Sequence, residues 1–158
     1  MRLLNLNRRP VSPMRGTMYD YKIVAHEEND HFWSSCPDIP EAHTVGDSLE
    51  KLLANAVDGL TLALSIYVDQ KRAIPPANEA GDHIVRLSGV TVAKIALWNE
   101  LVHAGKTRAD LASMLGVSPT AAGRLVDFGH TSKLESLEQA LALFGVRLQV
   151  TPTALRAA

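Results

Sequence analysis

The chain has 158 residues, 46% of them apolar, one cysteine and a formal charge of -1. That length gives one ordinary domain or two small ones, and the apolar share is enough for real cores, which excludes disorder over the whole chain. The lone Cys36 excludes an intrachain disulfide and a thiolate zinc cluster, and fits a reducing, cytoplasmic compartment.

The near-zero charge conceals an uneven distribution. Residues 1–17 hold four bases and no acid, residues 18–90 hold twelve acids against five bases, and residues 91–158 hold seven bases against five acids. An acidic half suited to a basic partner is therefore followed by a mildly basic half suited to an anionic one. Acids such as Asp58 and Asp69 interrupt the longest apolar runs, so no membrane-spanning helix is expected. The basic start lacks the apolar core of a signal peptide.

Residues 1–17, with Pro10 and Pro13 and no sustained period, read as a flexible tail. Tyr19 to His26 suits a strand, Glu27-Glu28-Asn29-Asp30 a polar turn, and His31 to Cys36 a second strand that completes a hairpin. Pro37-Asp38-Ile39-Pro40 must leave the sheet, because neither proline can donate to a ladder. Glu41 to Val45 supplies a third short strand. Ser48 then caps a helix in which Leu49, Leu52, Leu53, Ala56, Val57, Leu60, Ala63, Leu64, Tyr67 and Val68 recur at threes and fours through about five turns. Such a face needs a sheet to cover. The three strands before it and Ile84-Val85-Arg86-Leu87 after it give an α+β module of β-β-β-α-β order over residues 18–88.

Ser88-Gly89 is the best boundary. Beyond it a helix is expected from Thr91 to Ala104, stopped by Gly105. Thr107 with Asp110 forms a capping box, Gly116-Val117 makes a tight turn, and Ser118 caps a further helix with Pro119 at its first position. Ser132-Lys133-Leu134-Glu135 reads as another capping box, opening a helix that ends at Gly145. Arg147-Leu148-Gln149-Val150-Thr151 alternates as one late strand. A single strand in an otherwise helical module has no ladder partner, so pairing with a second copy is expected, and residues 89–152 form an all-α reader with a dimerising strand. Residues 153–158 are a tail.

The paired helices around Gly116 read as a helix-turn-helix. On its second helix, Thr120, Ala121 and Arg124 are candidates for DNA base contacts: a guanidinium for guanine, a hydroxyl for a base edge, a methyl for thymine. Ser118, His130, Thr131 and Lys133 are candidates for phosphate contacts. Arg147, Leu148, Gln149 and Val150 are the dimerisation candidates. In the first module, Phe32 and Trp33 point to opposite faces of one strand, so Trp33 with Asp38, Ile39 and Glu41 makes an aromatic, acidic patch of the kind that anchors a protein interface. Catalysis is poorly supported. His26, His31, His43 and Cys36 lack ligand spacing, Cys36 suits a small buried hydrophobe, and there is no phosphate loop, so no metal, cofactor or enzymatic activity is expected.

The run Phe32-Trp33-Ser34-Ser35-Cys36-Pro37-Asp38-Ile39-Pro40-Glu41-Ala42-His43-Thr44-Val45-Gly46-Asp47-Ser48, the long helix after it and Ile74-Pro75-Pro76 resemble the HicB family of antitoxins. The resemblance continues through Ala109-Asp110-Leu111-Ala112, Leu115-Gly116-Val117-Ser118, Arg124-Leu125 and Thr131-Ser132-Lys133-Leu134, the variety with a Cro/repressor-like reader, and covers residues 18–152. Glu41 stands where members often carry glycine. The resemblance implies a partial ribonuclease-H-like domain, not active as a nuclease, that blocks a HicA toxin, an mRNA-cleaving protein with a catalytic histidine. It also implies a reader that dimerises, or assembles further, and represses its own operon at double-stranded operator DNA, with toxin level modulating repression. A small-molecule sensor attached to the same reader is the alternative for the first module.

Overall fold

The chain from Asp20 to Glu28 is the spine of the first half, and it serves two sheets in turn. In the computed structural model, which describes residues 18–78, 80–152 and 154, β1 (Asp20–Lys22) pairs antiparallel with β5 (Ile84–Arg86), while β2 (Val24–Glu28) pairs antiparallel with β3 (His31–Ser35). The sequence predicts one strand here. The structure breaks it at Ile23, which buries its side chain and donates its N–H to the His83 carbonyl at 2.8 Å. The hairpin between β2 and β3 turns on Asn29 and Asp30, whose φ angles of 51° and 61° are those of a tight primed turn.

The third strand is shorter and later than the sequence suggests. β4 (Thr44–Gly46) completes the sheet in the order β2-β3-β4, and residues 37–43 are loop. Gly46 lets β4 lie directly on the helix that follows, since a Cβ there would come within 2.6 Å of the Leu52 backbone nitrogen.

That helix, α1 (Leu49–Asp69), begins at Ser48, whose hydroxyl accepts from the Lys51 N–H at 3.2 Å. It buries Leu52, Ala56, Leu60, Ala63, Leu64, Tyr67 and Val68, as the spacing predicts. Leu49 and Val57, expected on the same face, lie exposed, as does Leu62. By length and composition alone α1 is apolar enough to cross a membrane, against the expectation from Asp58 and Asp69. Its seven buried side chains are spent on the core instead.

The second half is helical. α2 (Gly89–His103) starts two residues earlier than expected, because the Ser88 hydroxyl accepts from the Thr91 N–H. α3 (Arg108–Leu115) opens with the reciprocal Thr107/Asp110 capping box and closes at Gly116 in the left-handed region, φ 67°. α4 (Pro119–Arg124) opens at Ser118, whose hydroxyl accepts from the Ala121 N–H at 3.1 Å, with Pro119 in its first turn. α5 (Leu134–Ala142) departs from expectation. Its N-cap is Lys133 without a side-chain bond, and the Ser132 hydroxyl, expected to cap it, donates to the Arg124 carbonyl at 3.1 Å.

No strand forms over residues 147–151 within the single chain. Arg147, Gln149 and Val150 are exposed, and Leu148 is half-buried against the core. The tail read over 1–17 lies outside the described residues, as does all of 153–158 except residue 154.

One apolar cluster runs through both halves, from Tyr19, Tyr21 and Ile23 through the α1 stripe to Ile95, Leu97, Leu101, Leu111, Ala122, Val126, Leu137 and Leu141. The segment 72–75 is strapped to α2 by side chains. The Trp98 indole N–H donates to the Arg72 carbonyl at 2.7 Å, and Asn99 binds both backbone groups of Ile74, at 2.8 and 2.9 Å.

Candidate functional site

Two surfaces hold the chemistry, one at each end of the molecule's charge asymmetry. The first is the face of the β2-β3-β4 sheet that carries Trp33. Strand register puts His26, Trp33 and Val45 in one row across the three strands. The His26 imidazole stacks on the Trp33 indole at 3.9 Å and 16°, and the His26 Nε2 lies 3.1 Å from the Ser35 hydroxyl, which fixes the ring. Trp33 nevertheless keeps 38% of its surface open, and Val45 keeps 70%. Beside them an open cavity of about 470 Å³ is lined by Trp33, Phe32, Val45, Glu28, Asp47 and Lys51, among others, with the Lys51 ammonium 3.5 Å from the Asp47 carboxylate. Glu28 and the Lys51-paired Asp47 thus rim an aromatic and aliphatic centre with a net negative charge, an arrangement suited to a partner with a basic rim.

The other three residues expected beside Trp33 are placed differently. Ile39 is fully buried, because the loop folds back so that the Ala42 N–H donates to the Ile39 carbonyl at 2.9 Å. Asp38 accepts from the Asn78 backbone N–H at 3.1 Å. Glu41 forms an ion pair with Arg72 and accepts from the Tyr67 hydroxyl at 2.7 Å. Burial works to raise the Glu41 pKa, but the Arg72 and Tyr67 bonds outweigh it and hold the carboxyl below its ordinary value. Burial and the same carboxylate push the Tyr67 phenol up to about 12. Ile39, Asp38 and Glu41 therefore fasten the loop after β3 to the end of α1 and the strap, instead of joining the Trp33 stack. His26 and Val45, which the sequence pattern does not mark, are the residues that join it.

Cys36 is buried, and burial raises its thiol pKa against the opposing backbone bonds from Ile39 and Asp38. Among the described residues no group of three or more His, Cys, Asp or Glu side chains is placed to hold a metal ion.

The second surface belongs to the α3–α4 pair. Thr120 and Arg124 are exposed on one side of α4, Ala121 is half-buried, and Thr120, Arg124 and His130 line one cleft of about 450 Å³. Thr131 and Lys133 are exposed beyond it. Arg124 is held by its backbone: its carbonyl accepts from the Lys94 ammonium at 3.0 Å and from the Ser132 hydroxyl at 3.1 Å. Lys94 comes from α2 and is only 2% exposed. Its ammonium also donates to the carbonyls of Asp127, at 2.6 Å, and His130. One buried cation thereby gathers the segment from Arg124 to His130, although burial lowers its pKa and the Asp127 charge opposes that only in part. The sequence carried a signal for it, since Lys94 falls on the buried α2 stripe of Leu97, Trp98 and Leu101.

Comparison with known proteins agrees with the first surface being on a recognised module. Residues 18–96 match the model of a HicB-like antitoxin of bacterial toxin-antitoxin systems. The chain is 45% identical over 139 residues to Antitoxin HicB of Pseudomonas fluorescens, covering 85% of this chain and 95% of that protein. It is 34% identical to Antitoxin HicB 2 of Photorhabdus laumondii, over 80% of this chain and 92% of that one. It is 28% identical to Antitoxin HicB of Escherichia coli K12, over 72% and 83%. The chain therefore belongs to the HicB-like antitoxins of bacterial toxin-antitoxin systems.

Proposed function

We propose that this antitoxin neutralises a HicA-type mRNA-cleaving toxin through the outer face of its β2-β3-β4 sheet. In the same reading it represses its own operon as a cytoplasmic dimer through a helix-turn-helix formed by α3 and α4. The observation that carries the toxin half is the open Trp33–His26 stack: an indole left 38% exposed, with Val45 in the next strand and Glu28 and Asp47 around it. An mRNA-cleaving protein must attract a polyanion. An acidic, aromatic face competes with RNA for the same basic surface, and opposite charge speeds the encounter.

For the DNA half, Thr120, Ala121 and Arg124 read base edges, and Ser118, His130, Thr131 and Lys133 hold phosphates. The backbone-pinned Arg124 supports this reading, because a side chain that must form a bidentate pair gains from a fixed origin. Arg147, Leu148, Gln149 and Val150 pair with the same residues of a second copy, which would satisfy backbone groups that find no ladder within one chain.

The test is co-expression of this chain with the product of a small neighbouring open reading frame. A complex that co-purifies and protects RNA from that partner is the expected result. An RNA-degrading partner that neither binds nor is silenced refutes the toxin half, whatever the promoter DNA does.

A further inference from the structure

The two clefts around α3 are one continuous surface. The cleft lined by Thr120, Arg124 and His130 also contains Arg108 of α3 and Val68 and Asp69 of α1. A second cleft, also about 450 Å³, shares Val68, Asp69 and Arg108 and adds Lys71, Lys106 and Thr107. Lys71, Lys106, Arg108 and Arg124 are all exposed, and none has an acid within ion-pair distance among the described residues. Two acids line the surface, and a third, Asp110, stands at its edge, where its carboxylate accepts from the Thr107 N–H at 2.7 Å and interacts with Lys106. The Asp127 carboxylate is turned into its own loop, accepting from the Gly129 N–H at 2.9 Å, and Asp69 closes α1. Four cations against these three acids leave the surface net positive, although Lys71 comes from the half of the chain that is otherwise strongly acidic.

Lys71 is held in that place by the backbone. It takes a left-handed conformation, φ 56°, immediately after α1, and its N–H donates to the Val68 carbonyl at 3.1 Å. Its neighbour Arg72 is committed to Glu41, whereas Lys71 is not.

We propose that the DNA-docking surface continues past α4 onto the end of α1, where Lys71, Lys106 and Arg108 hold the phosphate backbone of the duplex whose bases α4 reads. This rests on the helix-turn-helix reading above, and adds three phosphate contacts to it, one of them contributed by the toxin-binding module. Charge and continuity both favour duplex DNA as the occupant. The cations form a run leading away from the reading face, as a phosphate backbone leads away from the groove it borders. The consequence is that the first module sits on the operator in a fixed position, with α1 shared between the sheet and the DNA.

The test measures binding of the full chain to its own promoter fragment and to a scrambled duplex of equal length, across a salt series. The variants are Lys71→Gln/Lys106→Gln, Arg124→Ala, and Arg86→Gln as a control of charge on β5. At about 0.15 M salt, removing one cation from the phosphate backbone should weaken binding roughly fivefold, so the double variant should bind both duplexes roughly 30-fold more weakly, with a salt slope shallower by about two units. Arg124→Ala should lose discrimination between duplexes, and Arg86→Gln should match the wild type. A double variant with wild-type affinity and slope, while Arg124→Ala loses discrimination, overturns the extension and spares the reader. A double variant that sediments differently from the wild type overturns it too, in favour of an interface between copies. No binding by the wild type at any salt overturns the reader itself.

Discussion

Replacing Lys94 by methionine removes the ammonium and keeps most of the side-chain volume, so it isolates what the charge does. The three carbonyls it serves are not equally dependent on it. The Arg124 oxygen still accepts from Ser132, and the Asp127 oxygen still accepts from the His130 N–H at 3.2 Å. The His130 oxygen has no other bonded donor among the described residues. An orphaned buried acceptor costs about 1–3 kcal/mol, and each of the other two loses a charge-assisted bond worth somewhat less. Against this, methionine escapes the desolvation that lowers the lysine pKa. The expected net loss is about 2–4 kcal/mol, or roughly 5–15 °C in Tm for a chain of this size. Urea unfolding followed by circular dichroism reads the first quantity and a thermal scan the second. Promoter binding should fall as well, because the Arg124 backbone is released. A Lys94→Met protein as stable as the wild type, or more stable, would show that desolvation outweighs the carbonyl cradle and would refute the reasoning.

Trp33→Ala should weaken toxin neutralisation by roughly 30-fold or more, the scale of an aromatic anchor at an interface centre, and leave promoter binding intact; an equal loss of both activities counts against the division of labour. Glu41 has a folded pKa below its unfolded one, so its contribution is fully present above the ordinary carboxylate value of 4.5 and is lost as pH falls through the depressed folded value. Melting temperatures of Glu41→Gln and wild type should therefore converge as the medium is acidified, and a constant gap down to the acid limb would refute the assignment. The Cys36 thiol should resist a soluble disulfide reagent in the native protein and react only as fast as the chain opens; rapid labelling in native buffer would contradict its burial.

What the sequence disclosed and what it withheld divide by range. The α1 stripe, the Thr107/Asp110 box, the Gly116 turn and the Ser118–Pro119 start depend on residues three or four apart, and they appear where the local pattern puts them, save that Leu49 and Val57 fall outside the buried α1 face. The break at Ile23 depends on β5, more than sixty residues later, which competes with β3 for the same strand. Ser132 shows the same limit at shorter range: its spacing to Glu135 is that of a cap, but the Arg124 carbonyl eight residues back is the better partner. At the candidate site, Trp33 was legible because alternation assigns it a face. Its companions were not, since a Pro-flanked loop can turn Ile39 either way, and only the folded strap supplies Arg72 and Asn78 to its acids. Lys94 went unmarked in the sequence, although it falls on an apolar stripe, and its acceptors lie thirty to thirty-six residues on.

The strap at residues 72–75 bears on how such a protein can be recombined. Asn99 meets the N–H and carbonyl of Ile74 much as a neighbouring strand would, and Trp98 occupies the carbonyl of Arg72. A chimera cut at Ser88 would bring in a foreign helix and strand three backbone groups of the retained half without partners. Exchange of the segment after Ser88 between relatives should therefore succeed only with donors that carry an equivalent Trp-Asn pair.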